Sequence, residues 1–235
     1  SHFLIGLTIV SIGTSAPELL VSAVAAFDGS PGLALGNALG SNITNIALVL
    51  GVTAFIFPLL VPRPLVRREL PLLILICLCV YALAARGTYD LWAGMALVAT
   101  LPIVLYQLMK DEAQITGETE LYELSLPISL ILTIGGLFVL LGSSKALVWG
   151  ATEIARFFGV SELIIGLTIV AIGTSLPELA ASIASALKNK TDMALGTVIG
   201  SNFFNFLGVI GIAAMISPFA IEADVFTRDL PWTLC

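Results

Sequence analysis

The sequence has 235 residues, of which 58% are hydrophobic and only 11% are charged, and its mean hydropathy is +1.05. A soluble domain carries about 25% charged residues, so this composition excludes an ordinary soluble protein and indicates an integral membrane protein. The formal net charge of −6 disfavours a nucleic-acid partner, because such partners are held by neutralising phosphates. His2 is the only histidine, which leaves little for histidine-based metal or hydrolytic chemistry.

Apolar runs of about 20 residues, the length that a helix needs to cross a bilayer, recur along the chain. Short breaks with turn and charge signals separate them, and the longest polar break, 110–123, is acidic and is the one candidate for a linker. There is no initiator Met and no signal peptide before the first run, so we expect a fragment of a longer chain. The predicted spans are 3–27, 33–60, 70–86, 91–109, 125–151, 161–187 and 193–218, with an eighth that begins near Leu230.

Lysine and arginine indicate which loops are cytoplasmic, because cytoplasmic loops carry an excess of these residues. If the chain crosses at every break, the loops at 62–69, 110–123 and 188–192 lie on the richer side, and we predict that this side is the cytoplasm. The richer side collects Arg63, Arg67, Arg68, Lys110, Lys188 and Lys190, whereas the other side collects Arg86, Arg156 and Arg228.

The chain repeats itself at a shift of 160 residues without a gap, and roughly half of the positions are identical from Ile5 to Pro58. LIGLTIVSIGTSAPELLVS matches IIGLTIVAIGTSLPELAAS, and ALGNALGSNITNIALVLG matches ALGTVIGSNFFNFLGVIG. The repeats begin at the first and sixth spans, so five spans separate them and they enter the membrane from opposite sides. Inverted repeats with interrupted helices are typical of transporters whose site lies at the midplane.

This repeat divides the chain into five parts. We predict the first repeat with two helices at 1–60, two helices and an acidic cytoplasmic loop at 61–124, a helix before the second repeat at 125–160, the second repeat with two helices at 161–218, and a loop with the start of a further helix at 219–235. The predicted fold class is an all-α integral membrane protein with broken helices at the midplane.

Each repeat places oxygen-bearing side chains and a glutamate on one helical face, at spacings i, i+3, i+4 and i+7. Pro17 and Pro177 lie mid-span, lack an N–H and crowd the preceding turn, so we expect both helices to break there. The freed backbone groups must then face protein, water or an ion. The first faces are Ser11, Thr14, Ser15 and Glu18, and Ala171, Thr174, Ser175 and Glu178; the following helices add Asn37, Ser41 and Asn45, and Thr197, Ser201 and Asn205.

Some of these residues have a purely structural interpretation. A Ser or Thr in a membrane helix usually bonds to its own backbone, and Gly36/Gly40 and Gly196/Gly200 are explained by close helix packing. The two glutamates are different, because a charge at the membrane centre costs about 2.5–3.5 kcal/mol even on the most lenient scale. Lys145, on another span, is one candidate partner, but a bound cation is favoured.

The predicted donor set consists of oxygen atoms alone, which suits the hard cations Na⁺, Ca²⁺, Mg²⁺ or H⁺. Ca²⁺ takes 6–8 oxygens in a flexible geometry, and two glutamates balance its charge, whereas Mg²⁺ prefers to keep its waters. Na⁺ ions or protons could satisfy the same two carboxylates, and such competition is the physical basis of exchange. We expect no cofactor, only transported Ca²⁺ and Na⁺ and possibly H⁺.

The paired motifs G-T-S-x-P-E-L and G-S-N-x-x-N resemble the α-repeats of the sodium/calcium exchanger (Ca²⁺:cation antiporter) superfamily, most closely its bacterial inner-membrane branch. The resemblance covers essentially the whole chain and implies the second to eighth of ten helices and a multi-pass plasma membrane (bacterial inner membrane) location. It implies that Glu18 and Glu178 are the central Ca²⁺ ligands, with the carbonyls of Ser11 and Ala171. It also implies that Thr14, Ser15, Ser41, Thr174, Ser175 and Ser201 line Na⁺ sites, with Asn45 and Asn205 near the centre.

One position departs from part of that family: some members carry Asp where this chain has Asn205. The site then has two carboxylates and not three, which argues against cotransport of K⁺. The leading interpretation is a Na⁺/Ca²⁺ antiporter. Open alternatives are a Ca²⁺/H⁺ exchanger of the same fold, a cation channel and, least favoured, an intramembrane protease; the oligomeric state is left open.

Overall fold

The computed structural model describes residues 2–63, 65–112, 126–221 and 225–233, and each of the seven apolar runs is helical within these ranges. Five of the helices are long and apolar enough to cross a membrane. Two short strands, β1 (Thr88–Tyr89) and β2 (Phe219–Ala220), pair antiparallel. The helices are α1 (Phe3–Phe27), α2 (Pro31–Ile56), α3 (Leu70–Ala84), α4 (Leu91–Glu112), α5 (Leu126–Phe157), α6 (Leu163–Leu187), α7 (Thr191–Ile216) and the short α8 (Leu230–Trp232).

The structure moves some predicted boundaries, and proline explains two of the changes. Helix α2 ends at Ile56 and not near 60, because Phe57 is extended (φ −135°, ψ 133°) ahead of Pro58. In the second repeat, Ser217 is extended in the same way ahead of Pro218. A residue before proline avoids the helical region, so both second helices of the repeats end at equivalent points.

The repeat is visible in backbone geometry as well as in sequence. Wider π-helical turns occur at matched places: Gly6–Val10 and Gly166–Val170, and again Leu65–Glu69 and Val225–Asp229. The last pair lies in segments that the sequence predicts as loops, namely 62–69 and the loop from 219 to the helix expected near Leu230, so those predictions are wrong for the helical part. A further matched pair lies in α2 (Asn45–Leu50) and α7 (Phe204–Val209).

The two repeats interlock around the middle of the molecule. The first half of α1 packs against α7, whereas its second half packs against α2; equivalently, the first half of α6 packs against α2 and its second half against α7. Glycine makes this approach possible: a Cβ on Gly40 would lie 2.7 Å from the Cβ of Ala171, and one on Gly166 would lie 3.0 Å from the backbone nitrogen of Asn37. The packing role expected for the glycine pairs is therefore observed.

Contacts at the two ends of the bundle agree with a chain that crosses at every break. The β1–β2 ladder joins the loop after α3 to the loop after α7, and both were expected on one side. At the other end, the Arg68 guanidinium donates to the carbonyl oxygen of Gln107, 2.8 Å away.

The Tyr89 side chain is completely buried, and its hydroxyl donates to the carbonyl of Val80 at 2.7 Å. Burial raises the pKa of this phenol.

Polar and apolar residues are distributed opposite to the pattern of a soluble protein. Large apolar side chains face outward, among them Phe55, Trp92 and Phe138, while the interior of α1, α2, α6 and α7 holds the polar groups. The 18-residue central window of α7 is 83% buried and that of α4 only 28%. Helix α7 therefore lies in the centre, and the outward apolar faces suit a lipid solvent.

Candidate ion-binding site

Both glutamate helices break at a serine directly before the proline motif. Ser15 (φ −82°, ψ 4°) ends the first half of α1, and the second half begins at Ala16; Ser175 (φ −82°, ψ 0°) does the same in α6. The predicted breaks are thus present. Each glutamate lies in the first turn of a second half-helix, where the helix dipole favours negative charge by about 0.3–1 kcal/mol. This is smaller than the cost of burying a carboxylate at the membrane centre.

The Glu178 carboxylate has protein donors. Its Oε1 accepts hydrogen bonds from Ser15 Oγ at 3.1 Å and from Ser201 Oγ at 3.2 Å, while its Oε2 has no partner. Ser15 belongs to the first repeat and Ser201 to the second, so this carboxylate links the two. The Thr14 hydroxyl also lies beside this carboxylate.

The Glu18 carboxylate is completely buried, and neither oxygen has a hydrogen-bond partner in the described structure. Thr174 and Ser175 lie beside it, and Glu178 is close enough for the two negative charges to repel. Neither glutamate pairs with a Lys or Arg among the described side chains. The ammonium group of Lys145, named above as a candidate partner, lies outside the described part.

Asn37 connects three of the four central helices. Its Oδ1 accepts from Thr174 Oγ1 at 3.0 Å and from Ser41 Oγ at 3.5 Å. Its Nδ2 donates to Ser22 Oγ at 2.9 Å and to the carbonyl of Glu18 at 3.3 Å. The repeat mate of Asn37 is Thr197, whose hydroxyl instead bonds within its own helix to the carbonyl of Met193 at 2.9 Å.

The asparagines at the ends of the two G-S-N-x-x-N segments differ in their partners. Asn45 Nδ2 donates to Asn202 Oδ1 at 3.0 Å, which leaves Asn45 Oδ1 without a partner. Asn205 is fully buried and neither of its amide atoms has a partner. Unpartnered buried oxygens cost free energy, and a cation would satisfy them.

The backbone carbonyls expected to serve as ligands are partly engaged. The carbonyl of Ser11 accepts from Ser15 N at 2.9 Å, and that of Ala171 accepts from Ser175 N at 3.1 Å and from Thr174 Oγ1 at 3.3 Å. A carbonyl oxygen has two lone pairs, so the one at Ser11 keeps one acceptor position. The Ser11 hydroxyl bonds to its own helix at Leu7 and Thr8, as expected for a serine in a membrane helix.

All twelve residues proposed from the sequence are buried in this region. Hydrogen bonds join Ser15, Glu178 and Ser201 in one group and Ser41 with Thr174 in another. In four of the twelve, Thr14, Glu18, Ser175 and Asn205, no polar side-chain atom forms a hydrogen bond of ordinary geometry to another described residue. The sequence prediction missed Ser22 and Asn202 as contacting residues, although both are matched in the repeat, by Ser182 and Asn42.

Comparison with known proteins gives consistent results. The family profile described as "Sodium/calcium exchanger protein" matches residues 1–110 and 128–235. The chain is 46% identical over 244 residues to the "Putative antiporter CaxA" of Alkalimonas amylolytica, which covers 97% of this chain and 75% of that protein. It is 38% identical over 237 residues to the "Inner membrane protein YrbG" of Escherichia coli strain K12, covering 96% and 73%.

A solved structure extends the likeness to the fold. The sodium-calcium exchanger NCX_Mj soaked with 2.5 mM Na⁺ and 10 mM Sr²⁺ superposes with a TM-score of 0.80 at 36% sequence identity, covering 100% of this chain and 77% of that one. These matches confirm the superfamily resemblance, the all-α membrane fold and the multi-pass membrane location expected from the sequence. They do not distinguish Na⁺ from H⁺ as the counter-ion.

Proposed function

The chain belongs to the sodium/calcium exchanger family of cation antiporters, and we propose that it exchanges Ca²⁺ for Na⁺ across the plasma membrane by alternating access. The family is one of transporters and not of enzymes. The interlocked inverted repeats support alternating access, since one repeat can rock against the other around a fixed central site.

The observation that carries the proposal is the pair of buried glutamates, one from each repeat. Among the described residues, no group donates to either Glu18 oxygen with ordinary hydrogen-bond geometry, although Thr174 and Ser175 lie beside it, and one Glu178 oxygen is also without such a donor. An uncompensated buried charge is strongly unfavourable, so the two carboxylates need bound cations during most of the transport cycle. One Ca²⁺ balances both charges, as do two monovalent cations, and these alternatives compete for the same oxygens.

The surrounding oxygens complete the proposed ion site. Glu18 and Glu178 bind Ca²⁺ with the carbonyls of Ser11 and Ala171. The hydroxyls of the two helical breaks and of the following helices bind Na⁺, and the amide oxygens of Asn45 and Asn205 lie near the centre. The hydroxyl set is Thr14, Ser15, Ser41, Thr174, Ser175 and Ser201, all of which are buried.

The counter-ion is tested with the purified protein reconstituted in vesicles. Ca²⁺ uptake is measured with an outward Na⁺ gradient at equal pH, and separately with a pH gradient in the absence of Na⁺. We expect the Na⁺ gradient to drive uptake and the pH gradient not to. Uptake driven by the pH gradient alone would refute Na⁺ coupling and favour the Ca²⁺/H⁺ exchanger. Saturable uptake that requires the opposing ion would also exclude a channel.

The site residues are tested by Glu18→Gln and Glu178→Gln. Glutamine keeps the shape and removes the charge, so each variant is expected to lose Ca²⁺ transport while remaining folded. Glu153→Gln is the matched control, because Glu153 is exposed and forms only an ion pair with Arg156 at 3.1 Å. Size-exclusion chromatography checks the fold. Normal transport in either site variant would remove that glutamate from the site.

A further inference from the structure

Four buried asparagines at repeat-matched positions have unequal hydrogen bonding. Asn45 donates through Nδ2 to Asn202 Oδ1 at 3.0 Å. The equivalent pair in the inverted arrangement is Asn205 with Asn42, yet neither amide atom of either residue has a hydrogen-bond partner in the part of the chain that the structure describes. All four side chains are at most 3% exposed. One amide pair is therefore closed and its symmetry mate is open.

Both pairs lie between equivalent segments of the two repeats. The segment that begins at Asn45 packs against the first part of α7, and the segment that contains Asn205 packs in the same way against the first part of α2. Asn42 and Asn202 both border a cavity of about 180 Å³ between α2, α3 and α7. The cavity leaves both side chains room to change rotamer, which is what opening one amide pair and closing the other requires.

The closed pair fixes which atom Asn45 presents. Its amide nitrogen is bound by Asn202, and the atom left without a partner is the oxygen Oδ1, the type of ligand that a hard cation takes. Without an acceptor for the nitrogen, an amide can turn either end toward the site. The Asn205 amide can turn in this way, because Asn42 forms no hydrogen bond with its nitrogen.

We propose that Asn202 and Asn42 are positioning residues that work in alternation. Asn202 orients the oxygen of Asn45 in the conformation described here, and Asn42 orients the oxygen of Asn205 when the transporter faces the other side of the membrane. The alternation follows from the inverted repeats, because a change of facing exchanges the roles of the two repeats. This inference rests on the ion site and the antiport proposed above.

The test measures the KM for Ca²⁺ separately at each membrane face, in right-side-out and inside-out vesicles, for Asn202→Ala and Asn42→Ala. Loss of one orienting hydrogen bond is expected to raise KM about three- to tenfold. Asn202→Ala raises it at one face and Asn42→Ala at the opposite face, with the maximal rate nearly unchanged. Equal changes at both faces, or KM values that match the parent, would overturn the inference.

A conservative variant separates orientation from packing. Asn202→Gln keeps a neutral amide oxygen that can accept from Asn45 Nδ2, and the cavity that Asn202 borders has room for the added methylene. Its KM is expected to stay within about twofold of the parent, whereas a KM like that of Asn202→Ala overturns the acceptor role. Thermal unfolding of each variant reports fold integrity independently. Uptake is driven by whichever gradient the parent protein uses, so a failure of Na⁺ coupling refutes the proposed function and leaves the comparison of faces readable.

Discussion

Gly200 lies where the first half of α1 crosses α7, and Gly200→Ala is a direct test of the interlocked repeats. An added Cβ would meet the carbonyl oxygen of Leu7 and lie 2.6 Å from the Oγ and 2.8 Å from the Cβ of Ser11. The Leu7 carbonyl is held in a helix, so the whole half-helix must shift. Overpacking of this kind costs about 1–3 kcal/mol. Replacing a helical glycine with alanine returns up to about 1 kcal/mol.

Gly208→Ala, on the same helix, is the matched control. Its Cβ would lie 3.6 Å from Leu101, 3.7 Å from Leu19 and 3.9 Å from Phe204, which are ordinary contacts. Because both variants share the propensity gain, the difference between them isolates the packing cost. At about 2–4 °C per kcal/mol for this chain length, Gly200→Ala should melt about 2–12 °C below Gly208→Ala in detergent. Equal melting temperatures would show that α1 and α7 are not in close contact.

Three further predictions concern single side chains. Ser15→Ala should lower the melting temperature of the ion-free protein more than Ser175→Ala. The Ser15 hydroxyl donates to Glu178 at 3.1 Å, a bond of about 1 kcal/mol, whereas the Ser175 hydroxyl forms no hydrogen bond of ordinary geometry among the described residues; equal shifts would contradict the asymmetric carboxylates. Tyr89→Phe removes the buried bond to Val80 and should cost about 1–3 kcal/mol in unfolding free energy, whereas Tyr106→Phe, at an exposed site, should be neutral. Asn205→Asp and Asn45→Asp each add a third carboxylate, so Ca²⁺ flux between about pH 6 and 8 should depend more strongly on pH or K⁺; flux profiles that overlay the parent would place these asparagines outside the site.

The positions of the helices and of the central polar residues could be predicted from the sequence, for physical reasons. Lipid requires long apolar helices, so hydropathy located them. The repeat then identified the polar residues that occur within apolar spans at matched positions in both halves. These residues and Ala171, twelve in all, are buried. The helical breaks at Ser15 and Ser175 followed from the proline two residues later, since proline cannot donate the helical hydrogen bond.

Other features depend on how helices cross and could not be read from one helix at a time. Asn202 follows Ser201 directly, so it points about 100° away from the stripe that contains Ser201 and Asn205. A face-by-face analysis of α7 leaves it out, yet that direction faces Asn45 of α2. The π-helical turn at Leu65–Glu69 was missed because its arginines indicate a loop. Long basic side chains can instead extend from a helix end to the membrane surface.

The inverted repeats supply similar backbones but not equal sites. Asn37 reaches Thr174 of the other repeat at 3.0 Å, whereas its mate Thr197 bonds only within its own helix among the contacts described. Among the described residues, Glu178 accepts hydrogen bonds from two serines, at 3.1 and 3.2 Å, whereas the Thr174 and Ser175 hydroxyls lie beside Glu18 without a hydrogen bond of ordinary geometry. Thus each carboxylate has a different dependence on a bound cation within one conformation, with Glu18 the more dependent. An antiporter needs such inequality. If the site were equally stable in both facing states, with or without bound ions, ion binding would not shift the equilibrium between those states.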